Sequence, residues 1–186
     1  AGLGGDEHAD LKVHGGVEKA VYACPVEHYA FWQAQRREHG VSLPDEVLAP
    51  GFLGENLTVS GLLEHAVWIG DELQFPDCVL RVTMPRQPCF KFNAAMGFNQ
   101  AAKLMTQSGW CGFYLAVSRP GSLRAGQACT MGSGSAAVRV VAAVAASASS
   151  AASRGGVRVI VVSCRGRDGR CWINETSTPV GLRLTT

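Results

Sequence analysis

Apolar and polar residues alternate along Leu80–Met84, where Leu80, Val82 and Met84 are separated by Arg81 and Thr83. A period of two is what a strand with one buried face requires. Leu73 and Phe75 alternate with polar neighbours in the same way, and Gly70-Asp71 just before them is a turn pair. Ala66–Ile69, the turn and Glu72–Phe75 are therefore predicted as strand, turn and strand. Ala20–Ala23, Leu57–Val59, Trp110–Val117 and Ala128–Met131 are further predicted strands. Trp110–Val117 is apolar throughout, which predicts a central position in its sheet. The period lengthens over Val26–Glu38, where Val26, Tyr29, Ala30 and Gln33 share one face between Pro25 and Gly40. That stretch is predicted as a helix with a first-turn proline and a glycine stop. A second helix is predicted over Gln100–Gln107, ended by Gly109, with Asn93 or Asn99 as candidate caps. Short strands at near-regular spacing with two inserted helices predict a mainly β domain, a barrel or a sandwich-like arrangement. Strand and helix alternate too irregularly for a doubly wound sheet, and no dinucleotide or phosphate-loop glycine pattern is present.

Composition adds limits. The chain has 186 residues with 47% hydrophobic and 17% charged positions, enough for one real core. A net charge of +2 is too small to point to a nucleic-acid surface. No apolar run reaches membrane-spanning length and no signal-peptide pattern opens the chain, so the expected setting is cytoplasmic, with neither nucleic acid nor membrane as partner. The seven cysteines are odd in number and form no C-x-x-C pair, so neither a zinc cage nor a disulfide framework is indicated. Ser135–Ser153 is nearly pure Ala, Val and Ser, and Gly155–Arg170 is rich in Arg and Gly. Residues 1–131 are expected to fold, and residues 132–186 to form a poorly ordered low-complexity tail. The same composition arises when a high-GC gene is read out of frame, so loss of the frame near Gly132 is an alternative expectation.

Candidate chemistry concentrates in Met84–Asn93. Pro85 and Pro88 exclude regular structure there, and Cys89 stands between Arg86 and Lys91. Flanking cations favour the thiolate, the form that attacks and ligates metals; a buried structural thiol is the equal alternative. A second candidate is the polar loop from Gly4 through Asp6, His8, Asp10 and Lys12 to His14-Gly15-Gly16, set against an ordinary surface turn. Gly54-Glu55-Asn56 reads either as a turn before a strand or as a buried carboxylate and amide bracing a site loop. Glu27 and His28 read as surface or packing residues, because nothing pairs with them at metal spacing. Met105, Cys111 and Cys129 read as core, the two cysteines inside strands.

Taken together, Gly5–Gly16, Glu27-His28-Tyr29, Gly54–Leu57, Ile69-Gly70-Asp71 and Pro85–Lys91 resemble the MOSC domain family, closest to its stand-alone bacterial YiiM-type members. The resemblance covers about residues 1–131. It implies a MOSC-type β-barrel-like fold that binds the molybdenum cofactor (molybdopterin), with Cys89 as the characteristic site residue and molybdenum ligand. Lys12, Arg86 and Lys91 are the cations implied for the pterin phosphate, and Gly15, Gly16 and Asn56 complete the implied cofactor-binding set. His14 is implied in cofactor positioning or proton supply. The implied activity is a molybdenum-dependent oxidoreductase that reduces N-hydroxylated compounds such as 6-hydroxylaminopurine, a detoxification, with a redox partner protein as electron donor. The alternatives are a sulfur or cofactor carrier with a cysteine persulfide, and a non-functional fragment. Pyridoxal phosphate binding is also associated with such families. Two departures are expected: a strand-bearing segment that normally precedes the Gly-Asp motif is missing, and Ser135 onward does not resemble the family's C-terminal helical module.

Overall fold

The computed structural model describes residues 2–3, 17–131, 134–143 and 182–185. Its strands are β1 (Gly2–Leu3), β2 (Val21–Pro25), β3 (Leu57–Ser60), β4 (Glu72–Gln74), β5 (Val79–Pro85), β6 (Phe113–Arg119), β7 (Gly121–Leu123), β8 (Ala128–Met131), β9 (Gly134–Ala143) and β10 (Leu182–Thr185). Helices α1 (Tyr29–Glu38), α2 (Phe90–Met96) and α3 (Ala101–Ser108) lie between them. The strands β2-β3-β9-β8-β4-β5-β6 close into a barrel, and β1-β10-β7 form a separate three-stranded sheet. β2 runs parallel to β3 and antiparallel to β6, which closes the ring.

The side-chain period of β2 explains how helices and barrel share a wall. All five residues of β2 are buried. Val21 and Ala23 join one apolar cluster with Leu57, Leu80, Val82, Leu115 and other strand residues inside the barrel. Tyr22 and Cys24 point the other way, into a second cluster with Tyr29 and Trp32 of α1, Phe92 and Met96 of α2, and Ala101 and Met105 of α3. Helices therefore cover the outer face of β2. Each large apolar side chain sealed in either cluster contributes roughly 1.5–3 kcal/mol.

The predicted mainly β, barrel-like class is the observed one. Both predicted helices form, and the predicted central strand is β6, which pairs with β2 on one side and β5 on the other. Asn93 does act as a cap, though for α3 and not for its own helix: its Oδ1 accepts the Ala102 N–H at 2.7 Å. Four local expectations differ. Ala66–Ile69 forms no strand; Trp68 and Ile69 are 76% and 70% exposed. The Asp71 carboxylate takes the Trp68 N–H and the Gly70 N–H goes to the Val82 carbonyl, which holds the segment as a turn. The turn expected at Pro120-Gly121 leads directly into β7. Cys111 is buried as expected but precedes β6 rather than lying within it. Finally, β9 supplies the barrel strand between β3 and β8, beyond residue 131 where the sequence pattern ends the domain. Residues 144–181 lie outside the described residues, and so do the expectations for that stretch.

The barrel interior makes stability sensitive to alkaline pH. Burial pushes the Cys78 thiol up to about 11 and the Cys129 thiol up to about 12, with Cys78 adding to the latter. Both values exceed the ordinary 9.0, so each thiol keeps its proton to higher pH in the folded chain than in the unfolded one. Their contribution is fully present below about pH 9 and is lost as pH rises through the folded values. The urea midpoint is expected to stay level up to about pH 8.5 and then to fall toward pH 11. A midpoint flat across that range contradicts the buried thiols.

Candidate functional site

β5 ends at Pro85, and the next regular residue is Phe90, the start of α2. Cys89 caps α2 in an extended conformation (φ −125°, ψ −179°) and its carbonyl accepts the Phe92 N–H at 2.9 Å. The two prolines thus place Cys89 on an irregular turn, as predicted. Of the five described cysteines, Cys24, Cys78, Cys111 and Cys129 are buried, and Cys89 alone is partly open to solvent.

Arg86 packs inward from the same loop. Its Nη1 donates to the Tyr22 hydroxyl at 3.0 Å and to the Leu53 carbonyl at 2.6 Å. The guanidinium also lies 4.4 Å from the Tyr22 ring centroid and 5.1 Å from that of Phe92. Tyr22 hands its own hydroxyl proton to the Cys111 carbonyl at 2.8 Å. Tyr114, opposite Tyr22 across β2 and β6, has its ring centroid 5.6 Å from that of Tyr22. Burial raises the Tyr114 phenol above its ordinary value, the nearby Arg86 charge opposes this, and Cys89 and Cys111 add to the rise. The Lys19 ammonium sits 5.7 Å from the Tyr114 ring centroid. An aromatic pair flanked by Arg86 and Lys19 therefore borders the Cys89 turn.

Gly54-Glu55-Asn56 is the buried brace, the second of its two sequence readings. Glu55 is 3% exposed. Its Oε1 accepts from the Tyr29 hydroxyl, from the Gly51 N–H at 2.9 Å and from the Thr58 hydroxyl at 2.8 Å. Asn56 pairs with the Tyr22 backbone on both sides, its Oδ1 accepting the Tyr22 N–H and its N–H reaching the Tyr22 carbonyl, each at 2.8 Å. Among the sequence-predicted site residues, the fold thus links Asn56 and Arg86 through Tyr22, and Cys89 lies on the Arg86 loop. Lys91 is exposed on α2. Lys12, His14, Gly15 and Gly16 lie outside the described residues.

A cleft of about 500 Å³ is lined by Glu27, His28, Leu63, Glu64, His65, Ser108, Gly109 and Trp110. His28 is buried, and its Nε2 lies 2.8 Å from both Glu64 carboxylate oxygens. Trp110 stacks on the His28 ring, 5.3 Å between centroids and 2° from parallel, and remains 42% exposed. Burial pushes the Glu64 carboxyl up, but the bonds from His28 and from the Gly112 N–H (2.7 Å) outweigh it and hold the group below its ordinary value. Sequence spacing could not find this site, because Glu64 lies 36 positions from His28. The single signal was a histidine beside a glutamate at the start of an amphipathic helix. The cleft joins the Cys89 loop through one residue: Gly112 donates its N–H to Glu64, and its carbonyl accepts the Arg86 backbone N–H at 3.1 Å.

Comparison with known proteins matches the MOSC domain to residues 10–130. The chain is 42% identical over 122 residues to the protein YflK of Bacillus subtilis, covering 66% of this chain and 52% of that protein. It is 38% identical over 124 residues to the protein YiiM of Escherichia coli, covering 67% and 53%. A protein of Gibberella moniliformis named reductase is 34% identical over 131 residues, 70% of this chain and 22% of that one. The crystal structure of YiiM from Escherichia coli superposes with a TM-score of 0.51 and 31% identity, covering 68% of this chain and 56% of that structure. YiiM from Geobacillus stearothermophilus gives a TM-score of 0.50 and 29% identity, with 68% and 56% covered. The chain spans about half the length of YflK and YiiM.

Proposed function

Because this chain belongs to the MOSC domain family, we propose that it binds the molybdenum cofactor at the Cys89 turn and reduces N-hydroxylated compounds, 6-hydroxylaminopurine among them. One observation carries the reading: Cys89 is the partly open thiol among five described cysteines, and it sits where a barrel strand gives way to a helix. The donor set fits the group. Among the described residues no three His, Cys, Asp or Glu side chains gather to hold a bare metal ion. A metal ligated mainly by an organic dithiolene needs one soft protein ligand, and a cysteine thiolate suits it.

When bound, the cofactor supplies the two-electron reduction. The overall balance is R–NH–OH plus two electrons and two protons giving R–NH2 and water. The chain's own groups position and protect. Cys89 offers the sulfur. Arg86 and Lys19 place positive charge around the turn, suited to a phosphate-bearing pterin. The Tyr114 phenol, held above its ordinary value, stays protonated at neutral pH and can donate a hydrogen bond. His14 is the proposed proton supplier, with Lys12, Gly15, Gly16, Asn56 and Lys91 in the proposed cofactor-binding set. A redox protein is the proposed electron donor, and the cytoplasm the proposed compartment.

The test is molybdenum and pterin content of the purified full chain, with turnover of a hydroxylaminopurine under a chemical reductant. Cys89→Ala is expected to lose at least about tenfold in bound molybdenum and in activity, the lower bound set by the loss of residues that only support a metal's ligands. Equal molybdenum and equal turnover in the variant sink the proposal. A Cys89 persulfide without metal supports the carrier reading instead.

A further inference from the structure

The cleft beside Trp110 combines apolar surface with acceptors for a cation. Its volume of about 500 Å³ lies within the roughly 300–1,000 Å³ typical of small-molecule sites. Trp110 keeps 42% of its surface open, and its ring is fixed by stacking on His28 and by an edge contact with Phe31 (4.7 Å between centroids). Leu63 adds a second apolar side chain. An open, immobilised indole is a platform for an aromatic ring, and its face attracts positive charge. The lining also carries two carboxylates, Glu27 and Glu64, and no lysine or arginine. Main-chain donors hold both in place: Glu27 Oε1 accepts the Gly61 N–H at 2.8 Å and Glu64 Oε1 the Gly112 N–H at 2.7 Å. An ionised carboxylate offers about four acceptor sites, so each keeps capacity for a ligand. His28 takes part of the Glu64 capacity, which leaves the larger share on Glu27. Among the described residues no three His, Cys, Asp or Glu side chains gather to hold a metal ion. The two carboxylates therefore suit an organic cation.

We propose that this cleft binds a protonated arylalkylamine, with its aromatic ring on Trp110 and its ammonium N–H groups on Glu27 and Glu64. The ring preference comes from the open indole and Leu63, and the preference for positive charge from two ordered carboxylates with no lysine or arginine beside them. A hydrogen bond from an ammonium to a carboxylate is roughly twice as strong as a neutral one, so charge decides between ligands of equal shape. An anion of the same shape meets like charge and is rejected. The proposal does not rest on the chemistry assigned to Cys89: it needs no molybdenum, and the amine is bound rather than turned over.

NMR titration of the full chain with phenethylammonium and with hydrocinnamate tests it, because the two ligands share a ring and spacer and differ in charge. The Trp110 indole N–H signal is identified by its absence from the spectrum of Trp110→Phe. It is expected to shift on addition of phenethylammonium, with a dissociation constant of about 1 mM or below. Hydrocinnamate is expected to bind at least about tenfold more weakly. Affinities of the variants are read from the amide signals of Gly61 and Gly112, the donors to the two carboxylates. Trp110→Ala is expected to weaken phenethylammonium by at least about tenfold, and Trp110→Phe to recover most of that loss, because a ring face returns. Glu27→Gln keeps the shape of an exposed side chain and removes its charge, so it is expected to weaken phenethylammonium by at least about threefold without weakening hydrocinnamate. Circular dichroism confirms that the variants fold, and if Trp110→Ala does not, the two ligands and Glu27→Gln still decide. An indole signal unmoved at about 10 mM phenethylammonium, hydrocinnamate bound as tightly as the amine, or a folded Trp110→Ala of unchanged affinity each overturns the proposal.

Discussion

Gly112→Ala is expected to destabilise the fold by about 4 kcal/mol, the sum of a left-handed non-glycine backbone and an overpacked contact. Gly112 has φ +67°, and a Cβ built on it lies 2.2 Å from the Ala23 carbonyl oxygen, 3.0 Å from Tyr22 Cε2 and 3.1 Å from Cys24 Cα. Two of these are main-chain atoms of β2, which is paired on both sides inside a closed ring and has no free direction of retreat. Gly109→Ala separates the two causes. Gly109 has φ +70° but nothing within 4 Å of its Cβ position, so strain alone applies and the expected loss is about 1–2 kcal/mol. Urea denaturation of both variants reads the difference. Equal losses would show that β2 yields to the new methyl.

Residues whose neighbours lie within one element were legible in the chain. Leu80, Val82 and Met84 announce β5 because a strand sends alternate side chains to one face, and the α1 stripe follows from the same reasoning at a longer period. Ala66–Ile69 misleads because its apolar character serves no pairing: Trp68 is exposed, and side-chain acceptance of its N–H by Asp71 wins over a ladder. Composition argued against Ser135–Ala143 as barrel wall. Yet Val138, Val140 and Val141 suit a strand, and β3 and β8 provide partners on both sides that no local pattern could reveal. The candidate site divides along the same line. The Cys89 turn is written in two prolines and two cations. The Glu55 carboxylate left two readings open, because the decision depends on Tyr29 and Thr58 lying across its carboxylate. His28, Glu64 and Trp110 meet only after the barrel closes, so the cleft they form was invisible along the chain.

Arg86→Ala is expected to cost about 3 kcal/mol with no cofactor present, because two hydrogen bonds from a charged donor and two ring contacts are lost together. Along the chain Arg86 reads as a cation for the Cys89 thiolate and a ligand phosphate, and a residue with only those tasks leaves the stability of the cofactor-free chain nearly unchanged when it is removed. The fold places its guanidinium instead between the Tyr22 and Phe92 rings and directs Nη1 to the Tyr22 hydroxyl and the Leu53 carbonyl, the latter in a residue 1% exposed. Arg86→Lys tests whether charge or shape matters. An ammonium keeps the charge but cannot present a planar face to two rings while donating to both oxygens, so lysine is expected to recover less than about half of the lost stability. Urea midpoints of the cofactor-free wild type, Arg86→Ala and Arg86→Lys give the answer. Full recovery by lysine would reduce Arg86 to a local positive charge, whereas a cofactor-free Arg86→Ala chain as stable as wild type would return it to the ligand. Poor recovery would make Arg86 the strut that fixes the loop on which Cys89 is presented, and loss of molybdenum in that variant would then follow from a displaced turn as much as from a missing cation.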